Sequence, residues 1–475
     1  MKTTTTRSLT WRLAPLVAAL VLAGCADLKT VEPTAAPAAP AAFKELDGRW
    51  TQAKPAEAQS RGEWWKAFGD PVLDDLVARA DRNSTSVQLA AARLNQARAL
   101  LRSANADRLP QVGVSAGASR GNLANAPGDS TPGNVFSAGA NVAWEADVFG
   151  RLAKASQAAA LDAQASEALL QSTRLLVQSD VAQSYFTLRA LDAERALVRQ
   201  SVEAYRDTLR LTERRYQAGD VAELDLARVK AEVASTESQA LALDRSRAEA
   251  EHALAVLLGE VPSQFALTGL REAGEWAGPL PIVPPGVPGT LLTRRPDVAA
   301  AQNSMLAAQK RVGVAQAAWF PDVSLTANGG FASSEIGDLF KWSARSWGVG
   351  ALLSLPVFDG GRRAAGVQGA NAQWDAAAAS YREQVLVAFK DVEDQLAALR
   401  LLAEQAQAQG RAVDSAARTT ALSDTRYRNG FVSQLDLLDA QRSELRNRRQ
   451  ALQVRAAQYQ ATVGLVRAIG GGWDA

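Results

Sequence analysis

Two stretches of this chain alternate strictly between apolar and small or polar residues. Val112, Val114, Ala116 and Ala118 alternate with Gly113, Ser115, Gly117 and Ser119, and Val323, Leu325 and Ala327 alternate with Ser324, Thr326 and Asn328. A period of two predicts strands with one apolar face. After loops rich in glycine, asparagine and serine, the pattern returns through Val142 and Trp144, and through Val349, Ala351, Leu353 and Leu355. Each half of the chain is therefore expected to hold one β-hairpin, over 110–145 and 321–356. Ahead of each hairpin an alanine-rich helical pattern, 71–108 or 297–319, ends at a proline, as helices do. In the first of these, Asn83-Ser84-Thr85 reads as a solvated helix face.

Beyond each hairpin the period lengthens. From Arg151 to Tyr216 there is no proline or glycine, and apolar residues recur near every seventh position. One column is Leu169, Leu176, Gln183, Ala190, Leu197, Ala204 and Leu211; its neighbour is Leu170, Val177, Ser184, Leu191, Val198 and Tyr205. At about 1.5 Å per residue this predicts a helix of roughly 100 Å. A second copy runs from about Arg362 to Tyr427. Both end at glycine turns, Gly219 and Gly430, where glycine caps a helix most easily, and shorter helices return to Gly259 and Gly470.

The copies are related by a constant offset. RYQAGDVAELDLARVK (215–230) matches RYRNGFVSQLDLLDAQ (426–441), with Tyr216 and Tyr427, Gly219 and Gly430, Leu224 and Leu435, and Asp225 and Asp436 each 211 residues apart. Pro110 and Pro321 keep the same spacing. This is an internal duplication, with a first repeat over 64–260, a connector rich in proline and glycine over 261–289, a second repeat over 290–470 and a tail over 471–475.

Composition narrows the chemistry. The chain has 475 residues, 47% of them hydrophobic, and its 52 basic and 50 acidic residues give a formal charge of only +2, so no nucleic-acid surface is indicated. With one histidine, His252, and one cysteine, Cys25, zinc clusters and disulfide frameworks are out of reach. There is no phosphate-binding GxxxxGK loop, no HExxH and no GxSxG; no catalytic residue, metal site or cofactor is expected. His252 reads as a solvated or packed helix position, and the arginines Arg442, Arg446, Arg448 and Arg449 as solvated helix surface.

The N-terminus reads as an export signal over 1–24. Lys2, Arg7 and Arg12 precede the apolar run LAPLVAALVLAGC, too short to span a bilayer comfortably. The sole cysteine closes LAGC, which resembles a bacterial lipobox; by that resemblance Cys25 carries acyl chains, palmitate among them, and begins the mature protein. Residues 25–63 would be the lipid-anchored linker, with an alanine- and proline-rich stretch at 30–43.

Four strands cannot close a barrel, and an open sheet edge cannot sit in lipid. If these strands meet a membrane, chains must associate. Trp144, Trp319, Phe320, Phe331, Trp342 and Trp347, gathered at strand ends as interfacial aromatics are, support that reading. A small sheet capping a coiled coil in solution is the alternative.

Duplicated halves of helix, hairpin, long helix, glycine turn and helix on an exported lipoprotein resemble the outer membrane factor (TolC-like) family. WWKAFGDPVLDDLVARA, RRPDVAAAQ, AAWFPDVSLTA, LPVFDGGRR and RYRNGFVSQLDLLDAQ look like its lipoprotein branch, the outlet of resistance-nodulation-division multidrug efflux pumps. The resemblance implies a mainly α fold with a membrane β-barrel. Three chains would give four strands each to a twelve-stranded barrel, continued by a coiled-coil α-barrel through the periplasm. It implies a homotrimer in the outer membrane, partnered by a periplasmic adaptor and an inner-membrane pump, and no enzyme.

The two turns would lie at the periplasmic end of the helices. By the match, Leu435, Asp436 and Asp439 narrow an aperture there, with Tyr216, Asp225, Arg228 and Tyr427 as supporting partners. Rings of carboxylates would attract cations and repel one another; alternatively, the aspartates merely start the return helices. The function implied is a passive export duct for small molecules such as drugs. An outlet for type I-like protein secretion and a non-porous structural envelope lipoprotein are the rival readings, and four membrane strands argue against the second.

Overall fold

The computed structural model describes residues 39–40, 42–45, 62–122, 132–270, 276, 278, 280–283 and 288–471. Cys25 and the export signal lie outside them. After a 3-10 turn at Trp64–Phe68, α1 (Pro71–Asn83) and α2 (Thr85–Ala106) lead to β1 (Gln111–Asn122) and β2 (Pro132–Ala146), then to α3 (Arg151–Gln217) and α4 (Glu223–Leu257). The second half follows with α5 (Pro288–Arg294), α6 (Pro296–Ala317), β3 (Asp322–Ser333), β4 (Arg345–Ser354), α7 (Arg362–Arg428) and α8 (Gln434–Ala468). The fold is mainly helical with one small antiparallel sheet. The two long helices are 67 residues each and the two return helices 35 each.

In space the chain divides otherwise than by repeat. Described residues between 103 and 159 and between 305 and 378 form one compact unit, and the remaining described residues form another. Each repeat contributes to both.

The first unit holds the sheet, ordered β1-β2-β3-β4 and antiparallel throughout. Its register places Val112 opposite Val142, Val142 opposite Ala327 and Ala327 opposite Val349. Because side chains alternate between faces, one face collects Val114, Trp144, Leu325, Trp347 and Leu353, while the other collects glycine, serine, threonine and asparagine. On that second face Asn141 lies over Gly113 and Asn328 over Gly348, so close that a Cβ on either glycine would stand 2.8 or 2.9 Å from the carboxamide oxygen. Polar side chains of the two central strands thus rest on glycines of the two edge strands. Among the described residues no helix is long and apolar enough to cross a bilayer.

The second unit is built on an apolar hub. Leu73, Leu76 and Val77 of α1, Val181 and Phe186 of α3, Leu254 of α4, Val392 and Leu396 of α7, and Tyr459 and Val463 of α8 pack in one cluster with Phe43, Trp64 and Phe68. Phe186 lies 4.9 Å from Phe68 and 4.6 Å from Tyr459 between ring centres. Asp70 caps α1, accepting from the amides of Val72 and Leu73 (2.9 and 3.3 Å), and its other oxygen accepts from the Tyr185 hydroxyl. Burial and that bond push the Tyr185 hydroxyl well above its ordinary pKa. The heptad column Leu170, Val177, Val198 and Tyr205 is the buried one; Leu169 and Leu176 of its neighbour stay exposed.

The opening pattern of the first repeat is two helices, not one. The helix breaks at Ser84 (ψ 125°), which is buried rather than solvated. There the chain meets the end of α4: a Cβ at Gly259, whose φ is +71°, would stand 2.3 Å from the Asn83 carbonyl oxygen. In the second repeat, Gly470 (φ +88°) approaches the Arg294 carbonyl in the same way, at 2.8 Å. Glycine meets both demands, a left-handed backbone and no side chain.

The residue after that break differs between repeats. Where the first has Ser84, the second has Arg295, whose buried guanidinium donates to Asp297 (2.6 Å), to Asp391 (3.0 Å) and to the Ala468 carbonyl (3.2 Å). Burial alone would raise the Asp297 carboxyl, but the hydrogen bond and charge of Arg295, with the Val298 amide, hold it below the ordinary aspartate value. Arg295→Ala leaves Asp297 with the Gln384 amide (2.7 Å) and Asp391 with Lys390 (3.9 Å), and should destabilise the chain by about 3 kcal/mol, the low end for breaking a buried pair, read from denaturant midpoints. A lowered pKa contributes stability that is full above the ordinary aspartate value and is lost as pH falls through the folded one. Wild type should therefore lose stability more steeply than Arg295→Ala on acidification below about pH 4; equal slopes would remove Asp297 from the account.

Candidate functional site

The two glycine turns share one backbone. At the first, the Gly219 amide donates to the Tyr216 carbonyl (3.0 Å) and the Asp220 amide to the Arg215 carbonyl (2.8 Å). At the second, Gly430 donates to Tyr427 (3.0 Å) and Phe431 to Arg426 (2.8 Å). These are the paired bonds of a Schellman motif, which satisfies the last carbonyls of the helix and requires a left-handed residue. Gly219 and Gly430 supply it with φ of +80° and +76°.

Side chains then diverge. At the second turn Ser433 caps α8: its hydroxyl accepts from the Asp436 amide (3.2 Å), while an Asp436 carboxylate oxygen accepts from the Ser433 amide (3.0 Å) and hydroxyl (2.7 Å). This reciprocal capping box satisfies amides the helix leaves unpaired. The two donations from Ser433, with Arg426 nearby, hold the Asp436 carboxyl below its ordinary value. At the first turn the capping position is Ala222, with no side chain to offer, and Asp225 faces Arg228 at 3.7 Å.

Asp439, three residues beyond Asp436, is the freer acid. Its side chain is 63% exposed and lies 3.5 Å from Arg442. Arg442 also donates to Glu232 of α4 (2.8 Å), joining the return helices of the two repeats. Higher up, Arg449 reaches Glu194 of α3 (2.6 Å) and Gln239 of α4 (3.2 Å), and Arg448 pairs with Glu444. Three of the four arginines expected to be plain helix surface are thus ion-paired, two of them across the repeats.

Of the supporting residues, Tyr427 is buried, with the Arg215 guanidinium 4.7 Å from its ring centre and its hydroxyl without a hydrogen-bond partner among the described residues. Its counterpart Tyr216 is 41% exposed. The structure brings Arg228 to Asp225 and leaves the Tyr427 hydroxyl apart from both. Leu435 is exposed beside the turn. Gln434, which the sequence reading passed over, donates to the Thr212 hydroxyl at 2.8 Å and ties the start of α8 to α3.

Comparison with known proteins places this arrangement. The model of the outer membrane efflux protein family matches residues 76–260 and again 287–471, the second match starting and ending 211 residues after the first. The chain belongs to the outer membrane efflux protein family. It is 35% identical over 436 residues to the pyoverdine export outer membrane protein OpmQ of Pseudomonas aeruginosa, covering 90% of each. It is 31% identical to the cation efflux system protein CusC of Escherichia coli, over 98% of this chain and 99% of the other. The solved outer-membrane channel OprN superposes with a TM-score of 0.84 at 32% identity, covering 94% of this chain and 99% of that one. The protein is an efflux channel of the outer membrane, and the turns are the ends of its paired helices.

The caps make a specific expectation. Ser433→Ala removes one side of the capping box and should cost about 1 kcal/mol, while Ala222→Ser, with Asp225 already in place three residues on, should gain a similar amount. Apparent melting temperatures of the purified variants check both. Because the Asp436 carboxyl is lowered, the box should persist from neutral pH down to the ordinary aspartate range, about pH 4, and fail only below it.

Proposed function

We propose that three copies of this chain close a twelve-stranded barrel in the outer membrane and form a passive export duct. In this reading the duct receives small molecules from an inner-membrane resistance-nodulation-division pump through a periplasmic adaptor. The observation that carries it is the sheet: four strands with one apolar face and two edges, β1 and β4, that no other strand among the described residues pairs. In hydrocarbon each unpaired backbone group costs several kcal/mol, and pairing β4 of one copy with β1 of the next removes both edges at once.

Cargo choice belongs to the pump in this account. Relatives of similar identity carry names as different as pyoverdine export and cation efflux, so the shared duct is not what distinguishes them. The duct itself has no catalytic part. Acylation at Cys25, as the LAGC sequence suggests, would add a tether at the outer membrane; farther along, Phe43 is buried in the hub, and the amides of Lys44 and Glu45 donate to Glu393 of α7 at 2.8 and 3.0 Å.

We further propose that the second turn is the aperture. Leu435 and Asp439 are its lining, because both side chains are exposed there, while Asp436 acts through the cap it forms with Ser433. Arg442 holds Asp439 from behind, and Asp225, Arg228, Tyr216 and Tyr427 shape the neighbouring turn.

Single-channel conductance in planar bilayers tests this. Asp439→Ala should reduce cation preference severalfold and leave thermal stability unchanged, whereas Asp436→Ala should lower the melting temperature along with any change in conductance. A pore whose selectivity ignores Asp439→Ala keeps the duct and removes the gate; well-folded protein that forms no pore removes the duct.

A further inference from the structure

The apolar face of the sheet continues past the strand ends. Phe331, near the end of β3, stands on that face opposite Arg345 in the β3–β4 register. The ring of Phe340, in the β3–β4 loop, packs edge-on against Phe331 at 5.6 Å between centres. The Arg345 guanidinium lies 3.8 Å from the centre of Trp342, and Trp347 follows Arg345 on the same face. Phe340, Trp342 and Trp347 are each about three-quarters exposed (73, 75 and 73%). The loop is anchored beneath them by buried Leu339.

This cluster is aromatic on its flank and cationic at its tip. The other cation of the loop, Lys341, is taken by Asp338 at 2.5 Å, while Arg345 faces no carboxylate among the described residues. A guanidinium stacked on an indole is held flat, which leaves its in-plane N–H groups free to form a bidentate pair with a tetrahedral anion. At the other end of the same face Trp144, opposite Leu325 in the β2–β3 register, marks a second aromatic level, six steps along β3 from Phe331. At about 3.3 Å per residue this is roughly 20 Å, within the height of a barrel's lipid-facing band, about 25 Å.

We propose that Arg345, backed by Trp342, binds the phosphate of an anionic membrane lipid, whose acyl chains lie along Phe340 and Trp347. The inference rests on the reading that this face of the sheet meets lipid. It adds a headgroup site at the β3–β4 loop end of the sheet, with one site per chain.

Native mass spectrometry of the detergent-solubilised protein tests it, with phosphatidylglycerol and phosphatidylcholine of identical acyl chains as probes. Wild type should favour phosphatidylglycerol by about fivefold, the factor expected for one arginine at an anionic surface. Arg345→Gln should bring the two lipids level, Arg345→Lys should keep part of the preference, and Trp342→Ala should weaken phosphatidylglycerol binding with Arg345 still present. No preference in wild type, or a full preference in Arg345→Gln, overturns the site. Displacement of phosphatidylglycerol by an equal concentration of inorganic phosphate would make it an adventitious anion site and overturn the lipid assignment. Conductance of the same preparations separates the two readings: a conducting protein without lipid preference loses this inference alone, and one that neither conducts nor binds lipid loses the membrane reading as well.

Discussion

A backbone amide in hydrocarbon must have a hydrogen-bond partner, and most of this molecule follows from that requirement. The four strands are 12, 15, 12 and 10 residues long, enough to cross a bilayer at the tilt of a barrel, which takes about 9–11 residues. Within the chain, β2 and β3 are paired on both sides, while β1 and β4 each keep one side open. No further strand among the described residues is available to them, and a neighbouring copy of the chain would supply the missing partner. The glycines of those edge strands fit the same constraint from within: with Asn141 lying over Gly113 and Asn328 over Gly348, the polar face stays thin where two chains would join.

Duplication gave the two halves one backbone, and their side chains have since taken different tasks. The Schellman turns and the glycine approaches at Gly259 and Gly470 recur 211 residues apart with matching bonds and φ values, because a positive φ and a close contact leave no residue but glycine. Positions free of that demand have separated. Ser84 became Arg295, Ala222 became Ser433, and Arg228 became Asp439. Asp391 pairs with Arg295, whereas its counterpart Asp180 has only Arg467 to offset burial, and burial wins, leaving its carboxyl raised.

The hairpins, the long helices and their turns were legible from the chain alone, since periods of two and near seven and the placement of proline and glycine are local signals. The break at Ser84 was not, because neither proline nor glycine marks it and its cause lies in the Gly259 contact. The cap at Ser433 could have been found: serine three residues before Asp436 at a helix start is a capping-box spacing, and it changes what Asp436 can do. Pairs such as Arg442 with Glu232 and Arg449 with Glu194 join residues more than two hundred positions apart, beyond any local pattern. The aromatic residues at strand ends were visible, but the common face of Trp144, Phe331 and Trp347 was not, because that depends on register.

Within the helical unit, the character of the packing changes along the long helices. The hub around Phe186 and Tyr459 is apolar and closely packed. Toward the turns the contacts between repeats become polar: Arg449 with Glu194, Arg442 with Glu232, Gln434 with Thr212. Among the described residues the hydroxyls of Tyr205 and Tyr427 and the side-chain oxygens of Gln434 and Gln441 are buried there without a hydrogen-bond partner, as is the Trp64 indole N–H in the hub, each costing about 1–3 kcal/mol. An apolar hub resists sliding because any displacement opens cavities, whereas a polar seam that is incompletely satisfied has less to lose and several partners to exchange. A displacement at the turns would therefore disturb the hub little, because the apolar packing and the polar seam occupy different stretches of the same continuous helices.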